Sequence, residues 1–217
     1  MWEKLKSQFN RLKIEEKSIC LITNPDNYKN SNDFLDAVAS ALNGGVGIIL
    51  FKKGNIPDSL AVELGQKLKL LCEEFEVTLL VEGRVDIATL INADGVVLSK
   101  KHLSIFQAKN YLIENSIIGS YCNSADEIIE SINCGSDFVI YETQNNPKTN
   151  MQKFNISELI WINENINSPV FVLIDINKNN INQLISIHTK QIALNDNNIK
   201  SKKIEDIITQ LYLYLPQ

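Results

Sequence analysis

Thr78-Leu-Leu-Val-Glu-Gly-Arg-Val-Asp-Ile-Ala-Thr-Leu-Ile-Asn-Ala-Asp-Gly-Val-Val-Leu98 is the stretch that decides how this chain folds. Two short apolar runs rich in branched residues, Thr78–Val81 and Gly95–Leu98, are joined through a connection that turns at Asp86-Ile87-Ala88. A run with no polar alternation reads as a strand covered on both faces, which is the habit of parallel sheets. Six more runs of the same kind lie outward from it: Ile19–Thr23, Gly47–Phe51, Ile117–Ser120, Phe138–Tyr141, Val170–Ile174 and Gln191–Leu194.

Between these runs the apolar spacing changes to three and four. Leu60, Leu64, Leu68, Leu71 and Phe75 form one stripe, Ile105, Ala108 and Leu112 another, and Ile128 and Ile132 a third. Ile181, Leu184 and Ile185 follow, then Ile204, Ile207, Leu211 and Leu215. Each stripe suits a helix packed against a parallel sheet. Eight strands alternating with helices predict a single-domain α/β protein, a (β/α)8 TIM barrel over residues 1–217. An open doubly wound sheet is the alternative, because periodicity does not show closure. Trp2, Leu5, Phe9 and Leu12 predict an additional N-terminal helix within residues 1–17.

Composition excludes several function classes. The chain has 217 residues and a net charge of -5, which argues against a nucleic-acid partner. Lys200, Lys202 and Lys203 make one tight basic cluster, read as the solvated first turn of the last helix. No apolar run is long enough to span a membrane, and Glu3, Lys4, Lys6, Arg11 and Lys13 interrupt any leader-like core. A cytoplasmic location is expected. Cys20, Cys72, Cys122 and Cys134 include no C-x-x-C pair, and His102 and His188 are the sole histidines. Buried reduced thiols are expected at Cys20 and Cys72, and no zinc site. The Asn pairs at 145–146, 179–180 and 197–198 suit turns and helix caps.

A closed barrel takes its reactive groups from the C-terminal ends of its strands. Those positions supply Asn24 and Asp26, Lys52 and Lys53, Glu82 and Arg84, Ser99 and Lys100, Tyr121 and Asn123, Glu142, Asp175, and Asn195 and Asp196. From these the candidate ligand-binding set is Lys52, Glu82, Arg84, Tyr121, Asn123, Glu142 and Asp175. Their mixed charge suits either a small molecule or a set of internal ion pairs, and the second is favoured because no spacing specifies a reactive pair. No catalytic residue is assigned.

The order Ala41-Leu42-Asn43-Gly44-Gly45-Val46, Asp86-Ile87-Ala88, Ala93-Asp94-Gly95-Val96 and Gly135-Ser136-Asp137-Phe138-Val139 resembles the thiamine phosphate synthase and thiazole tautomerase (TenI-like) family. The resemblance runs from about Cys20 to Asn195 and implies a barrel connected with thiamine biosynthesis. It implies a reaction that joins a pyrimidine diphosphate to a thiazole phosphate with release of diphosphate, assisted by magnesium. The family's diphosphate-gripping Gln, Arg and Lys correspond to Leu50, Lys52 and Gly54 here. Its two magnesium aspartates correspond to Gly83 and His102, and its Ser-x-His-Thr run to Tyr121-Cys122-Asn123-Ser124.

The glycines of the family's phosphate nest correspond to Asp175 after the seventh strand and to Thr189–Ala193 around the eighth. Thr149 keeps one position of a further phosphate loop, and Asn150 stands in place of its lysine. The expectation is therefore a catalytically degenerate or repurposed barrel, with no metal and no cofactor. The alternatives are a divergent active synthase, which would need Mg2+ with Lys52, Lys53, Glu82, Arg84 and Lys100, and a small-molecule-binding barrel of unknown ligand. Oligomeric state is left open by the sequence.

Overall fold

Each of the eight strands pairs in parallel with the next, and the last returns to pair with the first. They are β1 (Ile19–Thr23), β2 (Ile48–Phe51), β3 (Thr78–Glu82), β4 (Gly95–Leu98), β5 (Ile117–Cys122), β6 (Phe138–Glu142), β7 (Val170–Ile174) and β8 (Ile192–Asn195). The barrel is closed in this computed structural model, and the open sheet is thereby excluded. The structure describes residues 10, 13–142, 154–175, 187–196 and 203–215. Around the strands run α1 (Ser31–Asn43), α2 (Asp58–Glu74), α3 (Val85–Leu90), α4 (Ile105–Lys109), α5 (Ala125–Asn133), α6 (Ile156–Asn165) and α7 (Ile204–Tyr212). No helix among the described residues is long and apolar enough to cross a membrane.

The expected helix at Trp2–Leu12 and the Ile181, Leu184, Ile185 stripe fall largely or wholly outside the described residues, as do Thr149 and Asn150. Asn10 and Lys13–Glu15 have helical backbone. Four strands outrun their apolar letters: β3 takes in Glu82, β5 takes in Tyr121 and Cys122, β6 takes in Glu142 and β8 takes in Asn195. Ladder pairing depends on backbone groups, so it continues under a polar side chain when neighbouring strands are in register. Glu82 pairs with Val97 and Glu142 with Leu173 in this way.

Two helices also depart from their expected faces. α2 buries Ala61, Leu64, Gly65, Leu68 and Cys72, while Phe75 is left exposed. Gly65 turns that face inward, since a Cβ there would press on the Ile91 side chain. α4 stops at Lys109 and does not reach Leu112 as a helix.

Alternation along each strand sorts the core into two shells. Cys20, Ile22, Ile48, Leu50, Leu80, Val97, Phe138, Ile140, Phe171 and Ala193 form the barrel interior. The intervening residues, such as Leu21, Ile49, Leu79, Val96, Val139 and Val172, meet the helices. Phe138 and Phe171 meet edge to face at 5.7 Å inside the barrel. A Cβ at Gly119 would collide with the Phe138 ring, so the smallest residue on β5 makes room for an inward-facing ring on β6.

Three of the four segments that carried the family resemblance lie at the opposite end of the barrel from the mouth, and Asp86-Ile87-Ala88 lies on the mouth side in the first turn of α3. Asp94 precedes β4 and accepts the Leu79 amide at 2.8 Å, tying β4 to β3. Asp137 precedes β6 and accepts the Ile118 amide at 2.9 Å, tying β6 to β5. Gly95 follows Asp94 because a Cβ there would overlap the Ile117 carbonyl oxygen. Gly44 and Gly45 end α1 where α7 docks, with the Tyr212 hydroxyl donating to the Gly45 carbonyl. Gln191 donates to the Lys17 carbonyl at 2.9 Å and the Ile14 carbonyl at 3.2 Å, which places Thr189–Gln191 at the entry of β8.

Removing the Asp137 carboxylate leaves a buried Ile118 amide without its charge-assisted partner, a loss of about 1.5–3 kcal/mol. Asp137→Ala is expected to lower the urea unfolding free energy by that amount. Gly95→Ala should cost more, because β4 and β5 must separate to admit the methyl group. Equal stability of both variants and the parent in urea titration would contradict this account of the register.

Candidate functional site

Strand alternation continues past the last apolar layer and fixes which polar residues meet at the mouth. Positions 48 and 50 face inward, so Lys52 does too; positions 80, 140 and 171 bring Glu82, Glu142 and Asp175 to the same side. Tyr121 packs against the interior cluster from β5. Of the seven candidates, Lys52, Glu82, Tyr121 and Glu142 form one electrostatic group. Lys52 Nζ lies 3.0 Å from Glu82 Oε2. Burial pushes the Tyr121 hydroxyl well above the usual phenol range, and Glu82, Cys20 and Glu142 add to the effect. Burial also raises Glu142, which Glu82 reinforces and Lys52 and Lys101 oppose.

Asp175 follows β7 on the inward register and takes part in an interaction of its own. Asn123 is exposed, and its backbone N–H donates to Glu127 Oε2 at 2.8 Å. Arg84 leaves the group altogether. Its guanidinium forks onto Asp58 at 2.8 and 3.0 Å and onto Asp86 at 2.6 and 2.9 Å. Gly83 causes the departure: its positive φ of 68° ends the strand's alternation, and Arg84 then projects over the starts of α2 and α3. Lys53 joins the same rim network at 3.2 Å from Asp58. These partners hold the Asp58 carboxyl well below its usual range.

The loop positions are tied to one another across the mouth. Asp26 Oδ2 accepts both the backbone amide and the side chain of Asn55 at 2.8 Å. Gly54, with φ 63°, lies under Asn24 and Asp26, where a Cβ would clash with both. Asp196 is buried, accepts the Asn24 amide at 2.9 Å and the Asn27 side chain at 2.6 Å, and so clasps the end of β8 to the loop after β1. Burial raises its carboxyl despite those donors. Lys100 is drawn outward to Glu127 at 2.7 Å.

His102 makes the arrangement hardest to foresee. Its Nδ1 accepts the Ser99 amide at 3.0 Å, which leaves Nε2 as the protonated nitrogen. The ring then lies over Gly83, close enough that a Cβ at position 83 would overlap the imidazole. Local spacing does not pair that glycine with a histidine on the following loop, although the family resemblance sets Gly83 and His102 at its two magnesium positions. Lys101 is the other residue that sequence reasoning missed: it is exposed on the same loop, and its charge acts weakly on Glu142.

Cys20, Cys72 and Cys122 are buried free thiols and Cys134 is exposed. Burial raises the Cys72 and Cys122 thiols to about 12, so neither is a thiolate near neutrality.

The thiamine monophosphate synthase family model matches residues 19–197 of this chain. The chain is 27% identical over 185 residues to the thiamine-phosphate synthase of Nostoc sp., covering 83% of this chain and 51% of that protein. It is 28% identical over 178 residues to that of Clostridium acetobutylicum, covering 80% of this chain and 83% of the relative. The chain thus spans about half the length of its cyanobacterial relatives and most of the clostridial one. A thiamine phosphate pyrophosphorylase structure from Pyrococcus furiosus superposes with a TM-score of 0.78 at 25% identity, covering 95% of this chain and 96% of that one. The chain belongs to the thiamine monophosphate synthase family.

Proposed function

We propose that this barrel has lost the joining of a pyrimidine diphosphate to a thiazole phosphate, and that its mouth is filled by its own side chains. The observation that carries this reading is the packing of His102 on Gly83. The resemblance places the family's two magnesium aspartates at these positions. Magnesium takes oxygen ligands, commonly carboxylates with phosphate and water. An imidazole over a glycine offers none, and it occupies the room that a side chain at position 83 would need. Among the described residues, no three His, Cys, Asp or Glu side chains gather as a metal-binding group. The residues present do not fit the ion.

The diphosphate grip is supported no better. Leu50 is fully buried in the barrel interior, and Gly54 lies beneath Asn24 and Asp26. Lys52 keeps a positive charge, but Glu82 already holds it at 3.0 Å. Lys52 also lacks the planar fork by which Arg grips phosphate oxygens in pairs. Asn123, in the segment where the family places a histidine, carries an amide that does not take up a proton near neutral pH. One family assignment is corrected by the fold. Thr189–Gln191 and the start of β8 lie at the far end of the barrel, so they carry no information about a phosphate nest at the mouth. Asp175 remains as the carboxylate on the mouth side of β7.

Incubation of the purified protein with the pyrimidine diphosphate, the thiazole phosphate and magnesium is expected to yield no thiamine phosphate. Its steady formation at a rate proportional to protein would overturn the proposal and make the chain a divergent synthase.

Glu142 supplies a second test. Burial raises its folded-state pKa above the ordinary glutamate value of 4.5, so the folded chain holds the proton more tightly than the unfolded chain. Its contribution is complete below that value and declines as pH rises through the folded pKa. Glu142→Gln removes the decline. The variant should match the parent in melting temperature at acid pH and exceed it at neutral pH. A lower melting temperature at neutral pH would show that Glu142 is instead held by a favourable ion pair.

A further inference from the structure

We infer that the flank of the barrel between α4 and α5 is a contact between two copies of this chain, related by a two-fold axis parallel to the groove that separates these helices. α4 has five residues and is the shortest α-helix described, so it leaves the outside of β4 and β5 incompletely covered. The result is a groove of about 400 Å³ with apolar walls that include Leu98, Leu103, Ile105, Phe106 and Cys122. Phe106 stands at its edge with 78% of its surface in water. Tyr111 at 68% and Ile113 at 52% continue the apolar surface along the same segment. A cluster of large apolar side chains rimmed by charge marks an interaction surface.

Charge identifies the occupant. Lys100 and Glu127 bridge the groove at 2.7 Å, with lysines on the α4 side and acids on the α5 side. Lys101 and Lys109 remain exposed on the first side, Asp126 and Glu130 on the second. A two-fold axis along the groove sets α4 of one copy over α5 of the other. Lysines then meet acids twice, once in each direction, as a self-complementary contact requires. The same rotation carries each Phe106 towards the other copy's groove, forming an apolar centre inside a charged rim.

Sedimentation velocity on the full chain tests this. The parent is expected to sediment as a dimer at micromolar concentration, and Phe106→Glu as a monomer with unchanged circular dichroism. Glu130→Lys should weaken the dimer at least tenfold, and adding Lys101→Glu in the same chain should restore it. This restoration keeps the test open should Phe106→Glu fail to fold. A parent that stays monomeric, a dimer indifferent to Phe106→Glu, or a double variant no better than Glu130→Lys would each overturn the inference. So would a monomer whose groove takes up an apolar dye, since the groove would then serve a small ligand.

Discussion

Pairing of β8 with β1 is the constraint on which the rest depends. Once eight parallel strands close, every strand has one face in the interior and one against the helices, and alternation leaves no freedom in assigning them. The interior fills with Ile, Leu, Val and Phe, and the same parity delivers Lys52, Glu82, Tyr121 and Glu142 to the mouth. Closure therefore fixes the address of each mouth residue before any chemistry is considered. The chemistry then depends on which side chains stand at those addresses and on what holds them there.

The molecule divides its work between its two ends. At the entry end, Asp94 and Asp137 each accept an amide from the preceding strand, and Gly95 admits the close approach of β5. These contacts hold register and are indifferent to what the barrel binds. At the mouth, Lys52 meets Glu82, Arg84 is taken by Asp58 and Asp86, Asp26 holds Asn55, and Asp196 clasps the loop after β1. Most of these are exposed or half-exposed ion pairs, which water and salt screen, so each adds little to stability. They order the loops without committing the scaffold, so the mouth can change while the barrel stays.

That division explains what the sequence made legible. The strands were readable because burial on both faces leaves uninterrupted apolar runs, as in Val170–Ile174, which the structure reproduces end to end. Ala93-Asp94-Gly95-Val96 and Gly135-Ser136-Asp137-Phe138-Val139 were readable because a register clamp needs a fixed residue at a fixed place. Strand ends were less so: Glu82 and Glu142 are polar letters on strand backbone, where ladder pairing outlasts the apolar pattern. The mouth was legible as a set of addresses, and its pairings were not. Arg84 looked inward until the positive φ of Gly83 turned it onto the rim, and His102 reaches Gly83 across a loop whose path no local spacing records.

The family's barrel persists here, and we propose that its magnesium and diphosphate positions have been given over to internal packing. Calorimetric titration of the purified chain with magnesium diphosphate tests it most directly, because it reads the anion and the ion together and needs no turnover. The account predicts no binding heat above dilution at millimolar ligand. A saturable isotherm of micromolar affinity, abolished when magnesium is withheld, would contradict it.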